Sequence, residues 1–306
     1  MRTLLLCLGL CALFVPACGG DDEGGTTPPA TEDSGPASTP DASDPADVVE
    51  SDVEESDGAA GDSGPTDDAG EPEADGGASF GCEAPHTEVV TLTTDDGVTL
   101  EGDLYTSGAL DAPGVVLLHM IPPNHDRTGY PVAFCEALAA QGYNVLNIDR
   151  RGAGASGGVA QDAYSGPNGK LDPHAAIQYL LEMPCPSDPT RLAIVGASNG
   201  TTSALDFTLW SSSDESAPTP TTLVYLTGGD YTENQNSISD NLEFLSPIQS
   251  LFVYSTDEAT WSVSFEATAP ETWTFSEYLD GAHGTLMFDA IPSSMDDVRA
   301  FLEEAL

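Results

Sequence analysis

Basic residues are nearly missing from this chain of 306 residues: seven Lys and Arg stand against 51 Asp and Glu, a formal charge of -44. A field of that sign repels phosphate backbones and acidic headgroups, which excludes nucleic acid as a partner and an anionic lipid surface as a docking site. No apolar run is long enough to cross a bilayer comfortably; residues 4–15 fall short of the length required. Cysteine is scarce as well, with six in the whole chain, too few for a disulfide-built scaffold of this length. Between residues 19 and 79 there is no lysine, arginine or aromatic residue at all. Such a stretch cannot bury enough apolar surface to offset the entropy of ordering it, so it is expected to form a disordered acidic linker. As a flexible coil it would span about 40–50 Å, and charge repulsion would extend it further.

What precedes that linker is a targeting segment, left out of fold reasoning. Arg2 is followed by the apolar run, which ends in Val15-Pro16-Ala17-Cys18 before Gly19-Gly20. This resembles a bacterial lipoprotein signal. The resemblance implies lipidation at Cys18, a membrane partner through that N-terminal lipid anchor, and residence in the cell envelope outside the cytoplasm. Pro16 stands where Ala or Ser is usual, and ordinary signal-peptidase cleavage, giving a secreted protein, is the alternative. Cys7 and Cys11 would leave with the signal.

Residues 80–306 are enough for one core. They hold 32 of the 51 acidic residues against six basic ones, a balance suited to a salty exterior. Alternation over residues 87–93 and 98–105 around Asp95-Asp96-Gly97 predicts a β-hairpin with a D-G turn. Apolar runs at 114–118, 143–148, 192–195, 222–226 and 249–254 predict buried strands, with another near 272–278. Helical spacing recurs over 130–142, stopped by Gly142, over 201–210, and in a closing helix over 294–306. Asp172-Pro173 reads as N-cap and first-turn proline of a helix running to Pro184. Strands alternating with helices predict an α/β class with a mostly parallel central sheet and helices on both faces.

One stretch organises the rest: Arg191-Leu192-Ala193-Ile194-Val195-Gly196-Ala197-Ser198-Asn199-Gly200. A buried strand runs into a glycine turn carrying a serine, and a helix follows. This is the nucleophile elbow, whose flanking glycines leave room for a tight turn. The pentapeptide is weak by itself, since Gly154-Ala155-Ser156-Gly157-Gly158 matches it too. That second match leads into coil with no apolar helical pattern, and a flexible turn is the expectation there. The elbow at Ser198 resembles that of the α/β-hydrolase family. His119-Met120 sits where that family usually has His-Gly, and Asp149-Arg150-Arg151-Gly152-Ala153-Gly154-Ala155-Ser156 resembles its D-x-R-G-x-G-x-S loop. The resemblance spans residues 87–306 and implies the α/β-hydrolase fold. Only about twenty residues separate the strands where many relatives insert a cap domain, so little or no cap and an open site are expected.

A serine nucleophile needs a base and oxyanion donors. Of five histidines, His86 precedes the first strand. His174, in the first turn of a helix, is expected to be solvated. His119 resembles the structural histidine of the His-Gly loop. His125 beside Asp126 invites a metal site with His119, but two histidines and a carboxylate on a loop are a poor ligand set, and the reading calls for no metal and no cofactor. His283, in Asp280-Gly281-Ala282-His283-Gly284 between the last strand and the last helix, lies where the family places its base. The order serine, acid, histidine then points to Ser255-Thr256-Asp257-Glu258. The family's G-x-x-D pattern, with Ser255 in the glycine's place, puts the acid on Glu258, while Asp257 has the commoner side chain for the role. The oxyanion donors would be the N–H of Asn199 and one from Met120 or Ile121. Of the remaining cysteines, Cys135 beside Phe134 on an apolar helix reads as a buried free thiol. Cys82 and Cys185 lie in irregular segments, and a disulfide between them is the default.

These features together predict a serine hydrolase acting on a small-molecule carboxylic ester through an acyl-enzyme intermediate. Peptidase or other acyl-transfer activity on the same triad is one alternative. A catalytically inactive hydrolase fold used as a surface binding protein is the other.

Overall fold

The computed structural model describes Cys82 and residues 84–306 apart from Glu215 and Glu233. The targeting segment with Cys7, Cys11 and Cys18 and the acidic stretch over 19–79 lie outside the described residues. Eight strands form one sheet: β1 (His86–Thr93), β2 (Thr99–Thr106), β3 (Ala112–Leu118), β4 (Asn144–Ile148), β5 (Ser187–Ala197), β6 (Thr222–Leu226), β7 (Gln249–Ser255) and β8 (Trp273–Tyr278). The helices are α1 (Val132–Ala140), α2 (Leu171–Glu182), α3 (Asn199–Ser211), α4 (Leu242–Leu245), α5 (Val263–Glu266), α6 (Leu286–Ala290) and α7 (Ser293–Ala305). Among the described residues no helix is long and apolar enough to cross a membrane.

The strand order is β1-β2-β4-β3-β5-β6-β7-β8, antiparallel from β1 to β4 and parallel from there on. The expected hairpin is present, with Thr93 opposite Thr99 across the Asp96-Gly97 turn. The apolar runs are continuous because the central strands are covered on both faces. Val116, Leu118, Leu192, Ile194, Leu223 and Tyr225 point to the face packed by Ile177 and Leu180 of α2 and Phe207 of α3. Val115, Leu117, Val195, Val224 and Val253 point to the face packed by Phe134 and Leu138 of α1 and Val298 and Leu302 of α7.

Order and layers together place the site. After β3 the chain passes through α1 to β4 on one side; β5 pairs with the other side of β3 and leads into α3 on the opposite face. Loops leaving the carboxyl ends of β3 and β5 therefore diverge to opposite faces and leave a crevice between them. His119 to Ile121 follow β3, and Ser198 follows β5.

Three local expectations change. Asp172 is not an N-cap but lies within α2, whose cap is Lys170. Its buried carboxylate accepts from the Arg151 backbone N–H (2.9 Å) and from Nε (2.8 Å) instead. His174 is buried, not solvated: it faces Asp95 Oδ2 at 3.1 Å and sets its ring edgewise on Trp210. The helix start is covered by the β1–β2 turn, a contact that helical spacing does not show. The turn at Ser156 is pinned, not flexible, because Ser156 Oγ donates to the Asp149 carbonyl (2.6 Å) and accepts from the Glu101 N–H (2.9 Å). Cys82 and Cys185 form a disulfide with Cα atoms 5.3 Å apart, and Cys135 is free and buried, its thiol pushed up to about 12 by burial.

Candidate active site

Ser198 occupies the step between β5 and α3 with φ 51° and ψ -126°. A non-glycine residue in that region of backbone space costs on the order of 1–3 kcal/mol and persists only where its surroundings enforce it. They do so here: the Ser198 N–H donates to the Leu226 carbonyl of β6 (2.9 Å), and its own carbonyl accepts from Thr201 N–H (2.9 Å) and Oγ1 (2.7 Å). The flanking glycines are steric necessities. A Cβ on Gly196 would stand 2.8 Å from the Gly200 backbone, and one on Gly200 would stand 2.6 Å from the His119 carbonyl oxygen. The turn is thus compressed between α3 and the loop after β3. Ser156, in the other pentapeptide, has no comparable step from strand to helix.

His283 lies in the loop between β8 and α6. Its Nε2 is 2.6 Å from Ser198 Oγ and its Nδ1 is 2.8 Å from Glu258 Oε2. A carboxylate only accepts, so Nδ1 carries the hydrogen, and Nε2 is the acceptor for the serine O–H. The loop is tied down beside the imidazole: the Gly284 N–H donates to Thr227 Oγ1 (3.0 Å). Gly284 itself has φ 57°, and a Cβ there would stand 2.5 Å from Met120 Sδ. Glu258 comes from a short 3-10 turn, Thr256–Trp261, directly after β7. Within this turn Asp257 is exposed, and the carboxylate on the histidine is Glu258. Ser198, His283 and Glu258 are thus brought together from three loops at the carboxyl edge of the sheet.

Asn199 is the first residue of α3, and the Met120–Ile121 segment follows β3, with the Met120 side chain against Gly284. The first N–H groups of a helix have no intrahelical partner, and so the Asn199 N–H is available to an anion. His119 holds the loop. Its Nδ1–H donates to the Met120 carbonyl (2.7 Å), and its Nε2 accepts from the Arg150 N–H (2.9 Å). Both ring nitrogens are therefore engaged by backbone and neither is free for a metal. His125 and Asp126 do not join it; Asp126 accepts from the Thr128 N–H (2.9 Å) at the start of a 3-10 turn.

Burial, followed by the nearby Arg150 charge, lowers the His119 pKa to about 3. The unfolded chain, with the ordinary value near 6.5, takes up a proton that the folded one refuses. Stability is therefore lost as pH falls from 6.5 toward 3. Between pH 7 and 4 this one group should account for about 3 kcal/mol. Urea midpoints over that range should fall more steeply for the native protein than for His119→Asn; equal slopes would remove the histidine from the account.

Two residues of the site carry no signal in the sequence. Tyr231, from the segment after β6, donates its hydroxyl to the Thr227 carbonyl and sets its ring edgewise to His283 at 6.0 Å. Burial raises its pKa, with the nearby Ser198 hydroxyl acting the other way. Trp261 stacks on Tyr231 at 4.4 Å and also faces His283, at 6.4 Å. The pair forms an aromatic wall over the histidine, and Ser198 is 6% exposed. A cavity of about 600 Å³, lined by Lys170, Asp206, Trp210, Asn236 and Gln235, lies further along α3. Gln235, which lines it, accepts at Oε1 from Asn199 Nδ2 at 3.4 Å.

No protein-family model matches the chain, and no curated protein does either. Solved structures do. An esterase from Pyrococcus furiosus superposes with a TM-score of 0.53 at 19% identity, covering 72% of this chain and 92% of that one. An α/β hydrolase from a Penicillium species gives 0.54 at 15% identity, over 72% of this chain and 99% of the other. An esterase from a Rhodococcus species gives 0.53 at 14% identity, over 71% and 99%.

Proposed function

We propose, from the premise that the chain has the α/β-hydrolase fold, that it is a serine hydrolase cleaving a carboxylic ester. The observation that carries this reading is the continuous hydrogen-bonded path from Ser198 Oγ through His283 to Glu258. In the first step Ser198 Oγ attacks the ester carbonyl while His283 Nε2 takes the hydroxyl proton. Glu258 keeps the imidazole in the Nδ1–H form and stabilises the imidazolium that results. Negative charge gathers on the former carbonyl oxygen, which the Asn199 N–H and an N–H from Met120 or Ile121 receive. Collapse expels the alcohol with the proton from His283. Water, activated by the same histidine, then releases the acid from the acyl-enzyme and restores Ser198.

Esterases stand among the similar solved structures, which supports an ester as the substrate class of this reading. The aromatic wall of Tyr231 and Trp261 supports an apolar or aromatic group beside the histidine. A fluorophosphonate probe on the purified protein, with peptide mass spectrometry, tests the reading. Labelling at Ser198 is expected; a protein that turns over no ester and takes no label is a binding module instead.

The same reading places the enzyme outside the cytoplasm, tethered through Cys18 by the acidic linker. The signal-like end Val15-Pro16-Ala17-Cys18 supports it. Full-length protein expressed in a bacterium should partition with membranes and begin at an acylated Cys18, and Cys18→Ser should release it. An unacylated mature N-terminus at another residue would refute the anchor and leave secretion.

A further inference from the structure

Arg150 follows β4, and its side chain is wholly buried. Its two arginine neighbours in the fold are matched by carboxylates: Arg127 by Glu101, Asp103 and Asp149, and Arg151 by Asp96 and Asp172. Among the described residues no carboxylate lies within ion-pair distance of Arg150, despite the acidity of the domain around it. Its guanidinium donates to neutral oxygens only. Nη1 reaches the carbonyls of His119 (3.2 Å) and Met120 (3.3 Å). Nη2 reaches Asn199 Oδ1 (3.0 Å), Ser203 Oγ (2.7 Å) and the Ala163 carbonyl (2.9 Å), while Nε has no partner. A buried cation with no carboxylate in contact is costly, and hydrogen bonds to neutral groups, with the more distant Asp172 and Asp206 carboxylates, offset only part of that cost. Burial lowers its pKa to about 10, so the group is still charged at neutral pH.

The oxygens it grips identify what it acts on. The His119 carbonyl belongs to the same peptide unit as the Met120 N–H, and the Met120 carbonyl to the same unit as the Ile121 N–H. A cation at the carbonyl end of a peptide draws electron density toward itself and makes the N–H at the other end a stronger donor. Whichever of the two serves, its peptide unit is held by Arg150. Through Nη2 the same guanidinium holds the side chain of Asn199, whose N–H is the donor on the opposite side. One cation thus touches both segments that flank the place where the oxyanion of the proposed reaction develops.

We propose that Arg150 is a charged positioning residue for the oxyanion hole, orienting and polarising the donors at Met120 or Ile121 and at Asn199. This rests on the serine-hydrolase reading. Asp172 and Asp206 act on the guanidinium only from beyond ion-pair distance, and a carboxylate in contact would cancel more of its field at the donors. The effect is larger in the transition state, where the negative charge is, than in the bound ester.

Arg150→Met and Arg150→Lys test it, with ester kinetics, a reversible boronic-acid analogue of the tetrahedral state, and thermal melting. Arg150→Met should lower kcat on the order of 10–100-fold with KM changed less than threefold. The boronic acid should bind more weakly by the same factor. Arg150→Lys keeps a charge whose pKa shifts readily when buried. Its kcat should lie near the native value at pH 6 and fall with rising pH over a range in which the native enzyme is flat. A merely structural role predicts a lower melting temperature with unchanged kcat and boronic-acid affinity in the folded variant, and that result overturns the proposal. Should Arg150→Met fail to fold, a native-like, pH-independent kcat in Arg150→Lys overturns it equally. If the native enzyme takes neither fluorophosphonate nor boronic acid, the hydrolase reading falls and this inference with it; if it takes both and the variants do too, Arg150 alone is misassigned.

Discussion

Ser198→Ala should reduce ester turnover on the order of 10⁵–10⁶-fold and abolish fluorophosphonate labelling, while the protein stays folded. The loss is that large because the alanine removes the attacking atom itself, and the histidine and acid do nothing without it. Any remaining rate would come from substrate binding and the oxyanion donors acting on water. Folding should be unharmed or improved: the hydroxyl meets the side chains of His283 and Tyr231, whereas the turn is held by backbone contacts to Leu226 and Thr201. The control is Ser156→Ala. That serine bridges the Asp149 carbonyl and the Glu101 N–H. Its removal leaves a partly buried donor and acceptor unmet, at about 1–3 kcal/mol of stability. Its labelling and kcat should stay close to native. Chemical denaturation and active-site titration of the two variants separate the effects cleanly; an inactive, unlabelled but folded Ser156→Ala, or a labelled Ser198→Ala, would reverse the assignment.

Glu258→Gln should lower kcat on the order of 10⁴-fold with little change in KM, and Asp257→Asn should leave both within about twofold. The amide preserves the shape of the carboxylate and can still meet His283 Nδ1. It offers no negative charge to the imidazolium, and by presenting its NH₂ it favours the wrong tautomer, in which Nε2 bears the hydrogen and cannot take the serine proton. The defect belongs to the transition state, which is why kcat carries it. Asp257 is exposed in the same turn, and neutralising it changes only the general surface field. Glu258→Asp is informative too: the shorter side chain withdraws the carboxylate from a 2.8 Å contact, so kcat should fall, by less than in the amide. Active Glu258→Gln with inactive Asp257→Asn would mean that the turn after β7 adopts another register in solution.

Composition and local pattern alone determine a good deal here. Apolar runs of strand length, separated by helical spacing, specify a doubly covered parallel sheet because a strand buried on both faces has no reason to alternate. Six of the eight strands lie at those runs, and the other two where alternation around Asp96-Gly97 predicts a hairpin. Gly-Ala-Ser-Asn-Gly between a strand and a helix marks Ser198, and that signal is legible because it depends on neighbours a few residues apart. The loops after β7 and β8 are pointed to by the resemblance to the α/β-hydrolase family, through its order of serine, acid and histidine.

What only the tertiary structure decided depends on residues far apart in the chain. Ser198 and Ser156 sit in equivalent pentapeptides; they differ because Gly200 abuts the backbone of residues 118–119 whereas Ser156 is bonded back to Glu101 and Asp149. Glu258 and Asp257 are adjacent, and a single step in the phase of a 3-10 turn, set by the packing of β7 against β8, selects the first. His174 reads as a solvated first-turn residue until the β1–β2 turn closes over it with Asp95. Tyr231 has no motif, and Arg150 stands at the unspecified position of the D-x-R-G-x-G-x-S loop. The tyrosine reaches the histidine through a segment of irregular backbone, and the arginine acquires its neutral oxygen partners only when β4, the β3 loop and α3 converge around it. Burial and charge pairing are sums over everything that packs within a few ångströms, and a linear pattern contains the identity of those neighbours only after the sheet has brought them together.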